Sequence, residues 1–189
     1  EFRRVLFRSW FASKPNDPTK DWRWMADPKI AGCGAFGDLA THVLDLLMWL
    51  VGDIDRVTGQ IRSVIHKYEN CDESGEALLH FKNGAFGTLA GGWVDQANPN
   101  MIEISGTEGH AAINLGQLYY TTKNVPGADG KTPFPVPADL AWPHAFDLFL
   151  DSLQGKPATL VSVQEAARRP AVMEAIYTAA REGKWVNVD

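Results

Sequence analysis

Residues 34–54, with the sequence GAFGDLATHVLDLLMWLVGDI, constrain the fold of this chain more than any other segment. Their apolar residues follow one another so closely that, wound as an α-helix, the segment has almost no face left for water. We therefore expect this helix to be buried between other elements. Three polar side chains, those of Asp38, His42 and Asp45, nevertheless interrupt one side of it.

The composition is typical of one globular domain, because 45% of the 189 residues are hydrophobic and 22% are charged. The formal charge of −5 disfavours a nucleic-acid partner, which would need a basic face. Cys33 and Cys71 fit neither a disulfide framework nor a zinc site, so we expect a reducing, cytoplasmic compartment and no metal site. No apolar run approaches the length of a membrane span, and we expect no membrane partner.

The first nine residues, EFRRVLFRS, differ in character from the rest of the chain. They contain no apolar core of a signal peptide. A back-translation of these nine residues resembles a common short-read sequencing adapter. We therefore interpret residues 1–9 as an assembly artefact and residues 10–189 as a single domain. A tag from an expression vector is the alternative origin.

After the helix, the hydrophobic pattern changes to a period of two, which is typical of strands. The pair Asn83-Gly84 between two such runs is a strong signal for a β-hairpin. Successive hairpins predict a mostly antiparallel sheet. The predicted strands are residues 56–66, 76–82, 85–93, 101–105, 110–115, 117–122 and a last edge strand at 184–188.

Two further helices are predicted after a proline-rich loop at residues 123–143, a kind of loop that is often functional. The first covers residues 144–155. The second opens with a capping box between Ser162 and Glu165, and Pro170 is expected to kink or delay it. The fold class is thus α+β, with an open, mostly antiparallel sheet and about three helices on one face. On the other face Leu78 and Phe86 point outward, so we expect a second subunit to cover them.

The glycines before the long helix match a dinucleotide-binding motif only in form. Gly32, Gly34 and Gly37 have the spacing G-x-G-x-x-G and open a helix. No hydrophobic strand precedes them, however, and the carboxylate of Asp38 in the first helical turn would repel a pyrophosphate there. We interpret the motif as a tight turn that lets the backbone pass close to another element.

The spacing of Asp38, His42 and Asp45 places all three on one face of the helix. A metal site is disfavoured, because two carboxylates and one imidazole from a single helix rarely converge on one ion. An aspartate one turn from a histidine can fix the imidazole tautomer, which suits a general base. The same side chains could equally be partnered inside the core. The spacing alone leaves the catalytic and the structural interpretation open.

The segment AGCGAFGDLATHVLDLLMWLVGDI resembles the G-G-G-x-L-x-D-x-G-x-H-x-x-D-x-x-x-x-L-x-G signature of the glucose-fructose oxidoreductase / inositol dehydrogenase / MocA family. The upstream DWRW and the later segments EALLHFKNGAFGTLAGGWV, ISGTEGHAAIN and MEAIYTAAREGKWVNV also resemble this family. The resemblance runs from Trp22 to Val188. Departures from the signature at Cys33, Phe36 and Ala40 leave its Asp and His positions intact.

This resemblance implies the C-terminal α/β domain of a two-domain oxidoreductase that acts on a sugar, a polyol or a derivative. It implies that NAD or NADP is bound mainly by an N-terminal Rossmann domain absent from this chain, so that the chain alone is expected to be inactive. It implies that His42 is the acid–base group and that Asp38 orients it.

Beyond this pair, we expect Asp45 to give structural support and the chain to form a homo-oligomer through the open sheet face. The alternative is a non-catalytic relative that serves as an oligomerisation or regulatory module. Further candidate residues on the substrate side are Trp22, Arg23, Lys29 and Trp93.

Overall fold

The structure, a computed structural model, describes residues 2–10, 21–95, 100–137 and 142–188. A 3-10 helix at Asp21–Ala26 precedes the first α-helix. The helices are α1 (Pro28–Ala31), α2 (Ala35–Val51), α3 (Ala145–Leu153) and α4 (Val163–Glu182). The strands are β1 (Phe2–Trp10), β2 (Ile54–Arg62), β3 (Ser74–Phe81), β4 (Phe86–Gly92), β5 (Asn100–Gly106), β6 (Gly109–Asn114), β7 (Gln117–Thr122) and β8 (Val186–Asn187).

The described strands form one open sheet in the order β7-β6-β5-β1-β4-β3-β2-β8. All neighbours in it are antiparallel except β1 and β4. The turn at Asn83-Gly84 joins β3 to β4, as the hairpin signal predicts. The predicted open, mostly antiparallel sheet is therefore confirmed.

Strand β1 differs from the sequence interpretation, which leaves residues 1–9 outside the fold. In the structure, residues 2–10 pair in parallel with β4 and antiparallel with β5. Without a strand at this position, both neighbours would expose a row of unpaired backbone N–H and C=O groups. An extended segment can satisfy these groups whatever its origin. The artefact interpretation concerns that origin, and it stays a hypothesis.

Helices α2 and α4 cover one face of the sheet and form the core with it. α2 packs on β4 and β1, and α4 packs on β2. Side chains such as Phe36, Leu44, Leu79 and Ile176 are completely buried between these layers. The described residues cover only one face of α2, so the expected burial of its other side stays a prediction. Trp49 on the other face is 69% exposed.

Helix α4 begins at the predicted capping box. The Ser162 hydroxyl accepts from the Glu165 N–H, and the Glu165 carboxylate accepts from the Ser162 N–H. The helix continues through Pro170. Helix α3 is also present, but its apolar stripe does not pack on the sheet. Its exposed apolar side chains are those of Phe146, Phe149, Leu150 and Leu153.

The segment Pro28–Val51 has a mean hydropathy of 1.3 over its most apolar window, enough to cross a membrane by length and composition alone. The expectation that no apolar run approaches this length is therefore wrong. Half of that window is buried inside the structure, and the core helix of a soluble protein passes the same test. Packing of α2 against the sheet accounts for its apolar inner face.

Strand β2 ends four residues earlier than predicted because a buried carboxylate draws the chain away from the sheet. The Glu73 side chain is fully buried and accepts backbone N–H groups from each residue in the range 64–68. These amides therefore point at one side chain instead of at a neighbouring strand. Residues 64–68 form a loop, which we call the Glu73-bound loop.

Candidate functional site

The polar face of α2 is the candidate site, and the predicted grouping of its residues is present. Asp38, His42 and Asp45 all lie within this helix, at spacings that place them on one side of it. Asp38 is half-buried, whereas His42 and Asp45 are exposed. The opposite side of α2 packs into the core and so fixes the orientation of this face.

Asp38 is held by a tryptophan from a distant strand end. The Nε1–H of Trp93 donates to Oδ2 of Asp38 at 3.1 Å. Trp93 is only 2% exposed and packs with Ala35, Leu39 and Cys71. Trp93 is one of the candidate residues on the substrate side, where a tryptophan ring could stack on a sugar, and a core position is the alternative for such a residue. Its burial leaves no open ring face for such stacking, and the indole N–H reaches the carboxylate instead.

Asp38 and His42 lie one helical turn apart, and no hydrogen bond joins their side chains in the part of the chain that the structure describes. The Asp38 carboxylate makes its described hydrogen bond with the buried indole. The His42 imidazole stands on the exposed side of the helix. The arrangement therefore offers an accessible imidazole one helical turn after a carboxylate that is held by the indole.

Asp45 contacts helix α4. Its Oδ1 lies 3.8 Å from Nη1 of Arg169, and its side chain is mostly exposed. An exposed ion pair of this length contributes about 0–1 kcal/mol to the free energy of unfolding. Asp45 therefore links α2 to α4 only weakly.

The start of α2 is fixed by Asp72, which the sequence analysis did not single out. Its carboxylate accepts the N–H groups of Gly34 at 2.9 Å and of Phe36 at 2.8 Å. Its backbone oxygen accepts the N–H of Ala35 at 2.9 Å. A Cβ at position 34 would lie 2.5 Å from this backbone oxygen, so the contact requires glycine. The interpretation of the glycine motif as a close backbone approach is confirmed.

Tyr177 from α4 completes this connection. Its hydroxyl donates to Oδ1 of Asp72 at 3.1 Å and accepts the N–H of Gly37 at 2.9 Å. Burial raises the pKa of Asp72, although the hydrogen bonds that it accepts oppose the rise. Burial and the neighbouring carboxylate raise the pKa of Tyr177, so its hydroxyl stays protonated and remains a donor. The first turn of α2, which carries Asp38, is thus tied to α4 and to the segment just before β3.

This arrangement does not fit a dinucleotide phosphate at the glycine motif. A pyrophosphate would need the free N–H groups at the start of α2, and Asp72 already accepts those of residues 34–36. The element before the motif is a 3-10 helix followed by the short α1, not a strand. The described residues of this chain therefore do not supply a dinucleotide cradle there.

The remaining predicted substrate-side residues lie upstream of α2. Lys29 is exposed in α1, and Trp22 and Arg23 belong to the 3-10 helix, for which the structure describes only their backbone.

The sequence interpretation did not identify one pair of exposed tryptophans. Trp49 meets Trp142 edge to face at a centroid distance of 6.2 Å. The spacing of seven between His42 and Trp49 could have placed this ring on the polar face.

Both cysteines are free and lie near the start of α2. Burial and the carboxylate of Asp72 raise the pKa of Cys33, and the same two causes raise the pKa of Cys71 to about 12. A thiol is a nucleophile only as its thiolate. Neither cysteine therefore has the character of a nucleophilic catalyst near neutral pH.

Comparison with known proteins finds relatives and similar folds among proteins described as dehydrogenases and oxidoreductases. A levoglucosan dehydrogenase of Pseudarthrobacter phenanthrenivorans is 28% identical over 137 aligned positions, and the match covers 60% of this chain and 34% of that protein. A solved levoglucosan dehydrogenase in complex with NADH and levoglucosan has a TM-score of 0.77 at 23% identity. An NAD-binding oxidoreductase from Klebsiella pneumoniae has a TM-score of 0.75 at 21% identity.

All of this chain aligns with each of these two structures, and it covers 59% of each of them. The chain thus spans about a third of the curated relative and about three fifths of these solved relatives. A family model described as the GFO/IDH/MocA C-terminal domain matches residues 3–112, which include most of β1. Because this match spans more than half of the chain, the chain belongs to the GFO/IDH/MocA family through its C-terminal domain.

Proposed function

We propose that this chain is the substrate-side domain of an NAD(P)-dependent oxidoreductase that acts on a sugar, a polyol or a derivative. The observation that carries the proposal is the exposed imidazole of His42 beside the anchored carboxylate of Asp38 on α2. Membership of the family supports the reaction class. The relatives named as levoglucosan dehydrogenases, in complexes with levoglucosan and L-sorbose, support a carbohydrate substrate.

His42 would exchange the proton of the reacting hydroxyl. Oxidation of an alcohol to a carbonyl removes a proton from oxygen and a hydride from carbon. An exposed imidazole can accept that proton and return it in the reverse direction. The negative charge of Asp38 lies one turn away, so it attracts the positive charge that the imidazole gains. When bound, the nicotinamide cofactor would supply the acceptor for that hydride.

The cofactor would be bound by residues outside this chain, because the start of α2 does not fit its phosphates. We place these residues in an N-terminal Rossmann domain, in agreement with the part of the relatives' length that this chain does not cover. The chain alone would then be inactive. Two free cysteines agree with a reducing, cytoplasmic compartment.

The reaction class is tested with the full-length protein and a panel of sugars, sugar acids, polyols and simple aliphatic alcohols, each with NAD and with NADP. We expect formation of the reduced cofactor with at least one carbohydrate or polyol and none with the aliphatic alcohols. Binding of the cofactor without turnover of any carbohydrate would favour the alternative, a non-catalytic oligomerisation or regulatory module.

A further inference from the structure

Trp93 has the geometry of a residue that sets the position of Asp38. Its indole ring is almost fully buried, and its Nε1–H donates to Oδ2 of Asp38 at 3.1 Å. A buried indole N–H needs an acceptor. Here the acceptor is a carboxylate of the candidate site, and a bond to an ionised acceptor is stronger and more directional than one between neutral groups.

Trp93 is itself held at two further points. Its backbone N–H donates to the backbone oxygen of Glu73 at 3.0 Å. Its ring meets the ring of Tyr68 edge to face, with centroids 5.5 Å apart and planes at 83°. Tyr68 lies in the Glu73-bound loop, whose amides donate to the buried Glu73 carboxylate. The indole therefore has little freedom to turn away from Asp38.

We propose that Trp93 is a positioning residue, which through its indole N–H holds the Asp38 carboxylate one turn before His42. The proposal rests on the proposed function, because it assigns Trp93 a part in the acid–base step through Asp38. Without the indole N–H, the carboxylate can rotate about its side-chain bonds. Its charge would then no longer stand at a fixed distance from the imidazole.

The test uses the full-length enzyme and the variant Trp93→Phe, which keeps a buried aromatic ring but removes the N–H. We expect kcat to fall about 10- to 100-fold, as is usual when a residue that orients a site group is lost. The KM for the cofactor should stay unchanged. The matched control is Trp185→Phe, because Trp185 packs on His80 and Arg56 away from Asp38. The control should keep the wild-type kcat.

A double mutant separates positioning from packing. If Trp93 acts through Asp38, Trp93→Phe should cost little more in the Asp38→Asn background, since the carboxylate is already absent. A purely structural role would lower the melting temperature and leave kcat per folded molecule near the wild-type value. Independent, additive losses in the double mutant would also contradict the proposal.

The outcomes distinguish this inference from the function on which it rests. If Asp38→Asn and His42→Asn lower kcat but Trp93→Phe does not, the positioning role is wrong and the proposed function stands. If neither Asp38→Asn nor His42→Asn changes kcat, the proposed function fails.

If Trp93→Phe does not fold, the proposal is tested on the ¹⁵N-labelled protein instead. The measured quantity is the hydrogen-exchange rate of the Trp93 Nε1–H, followed by its NMR signal. The proposal expects slow hydrogen exchange at Nε1 that Asp38→Ala, which removes the acceptor, accelerates roughly tenfold or more. An exchange rate that Asp38→Ala leaves unchanged would overturn it.

Discussion

Glu73 shows how a single buried charge organises the neighbourhood of the candidate site. Burial opposes its ionisation, but the backbone N–H groups of Ile65, Val64, Lys67 and Tyr68 outweigh that effect and lower the pKa of Glu73 to about 2. The carboxylate therefore stays charged above that pH. Its charge holds the Glu73-bound loop, and the loop in turn places the ring of Tyr68 against Trp93.

The substitution Glu73→Gln should lower the free energy of unfolding by about 2 kcal/mol at neutral pH, because several buried N–H groups lose their charged acceptor. The pKa of Glu73 is lower in the folded state than its usual value of 4.5. Its stabilisation is thus fully present above that value and is lost as the pH falls toward 2. The melting temperatures of wild type and Glu73→Gln should therefore converge across this range.

The matched control for this measurement is Glu69→Gln, since Glu69 lies next to the same loop and is exposed. It should change the melting temperature little at any pH. A difference between wild type and Glu73→Gln that stays constant from neutral pH down to 2 would contradict the assigned charge.

At the scale of single residues, the sequence predicts which side chains share one helix face. It does not predict which residues from distant segments come into contact in the fold. Asp38, His42 and Asp45 share a face because they lie in one helix, so their grouping follows from the period alone. Asp72 and Trp93 reach the same region from other segments. No local pattern shows that a carboxylate 38 positions away accepts from Gly34, or that an indole 55 positions away donates to Asp38.

At the scale of elements, the outer face of the sheet has the character of a subunit contact. Leu78 on β3 is 48% exposed and Phe86 on β4 is 53% exposed. Phe86 lies opposite His80, two residues along from Leu78, so the two apolar side chains are diagonal neighbours on adjacent strands. An exposed apolar patch on an open sheet favours association with a second copy.

We expect the full-length protein to sediment as a dimer or a larger assembly. The double substitution Leu78→Glu with Phe86→Glu should dissociate it, because charges would then be buried in the contact. The control Leu115→Glu changes an exposed apolar residue in the turn between β6 and β7 and should leave the assembly intact. A monomeric wild type, or an assembly that survives the double substitution, would contradict this assignment.

The sequence predicts an element well when neighbouring residues alone specify it. The hairpins, the capping box of α4 and strand β7 agree with the sequence because turn residues and alternation specify them. The early end of β2 was missed because the buried carboxylate that causes it follows nine residues after Val64. The place of β1 between β4 and β5 was missed because it depends on a gap that only the assembled sheet defines.

For the molecule as a whole, α2 joins the core of the described chain to the candidate site. Its inner face is part of the core, its start is tied by Asp72 and Tyr177, and its outer face presents His42. Further apolar surface is exposed on α3 and at the pair Trp49–Trp142. The sequence did not predict this exposure, because an apolar stripe looks the same whether its cover belongs to this chain or to another part of a longer protein.

The most direct test of the proposed role of His42 uses the variant His42→Asn of the full-length protein. Its kcat and its melting temperature are measured on the same preparation. We expect kcat to fall by about 10²- to 10⁴-fold, the usual share of general acid–base catalysis. The melting temperature should hardly change, because His42 is exposed. The control His66→Asn changes an exposed histidine at φ 55, a backbone conformation that asparagine tolerates, and should match wild type. A stable His42→Asn enzyme with the wild-type kcat would contradict the central claim.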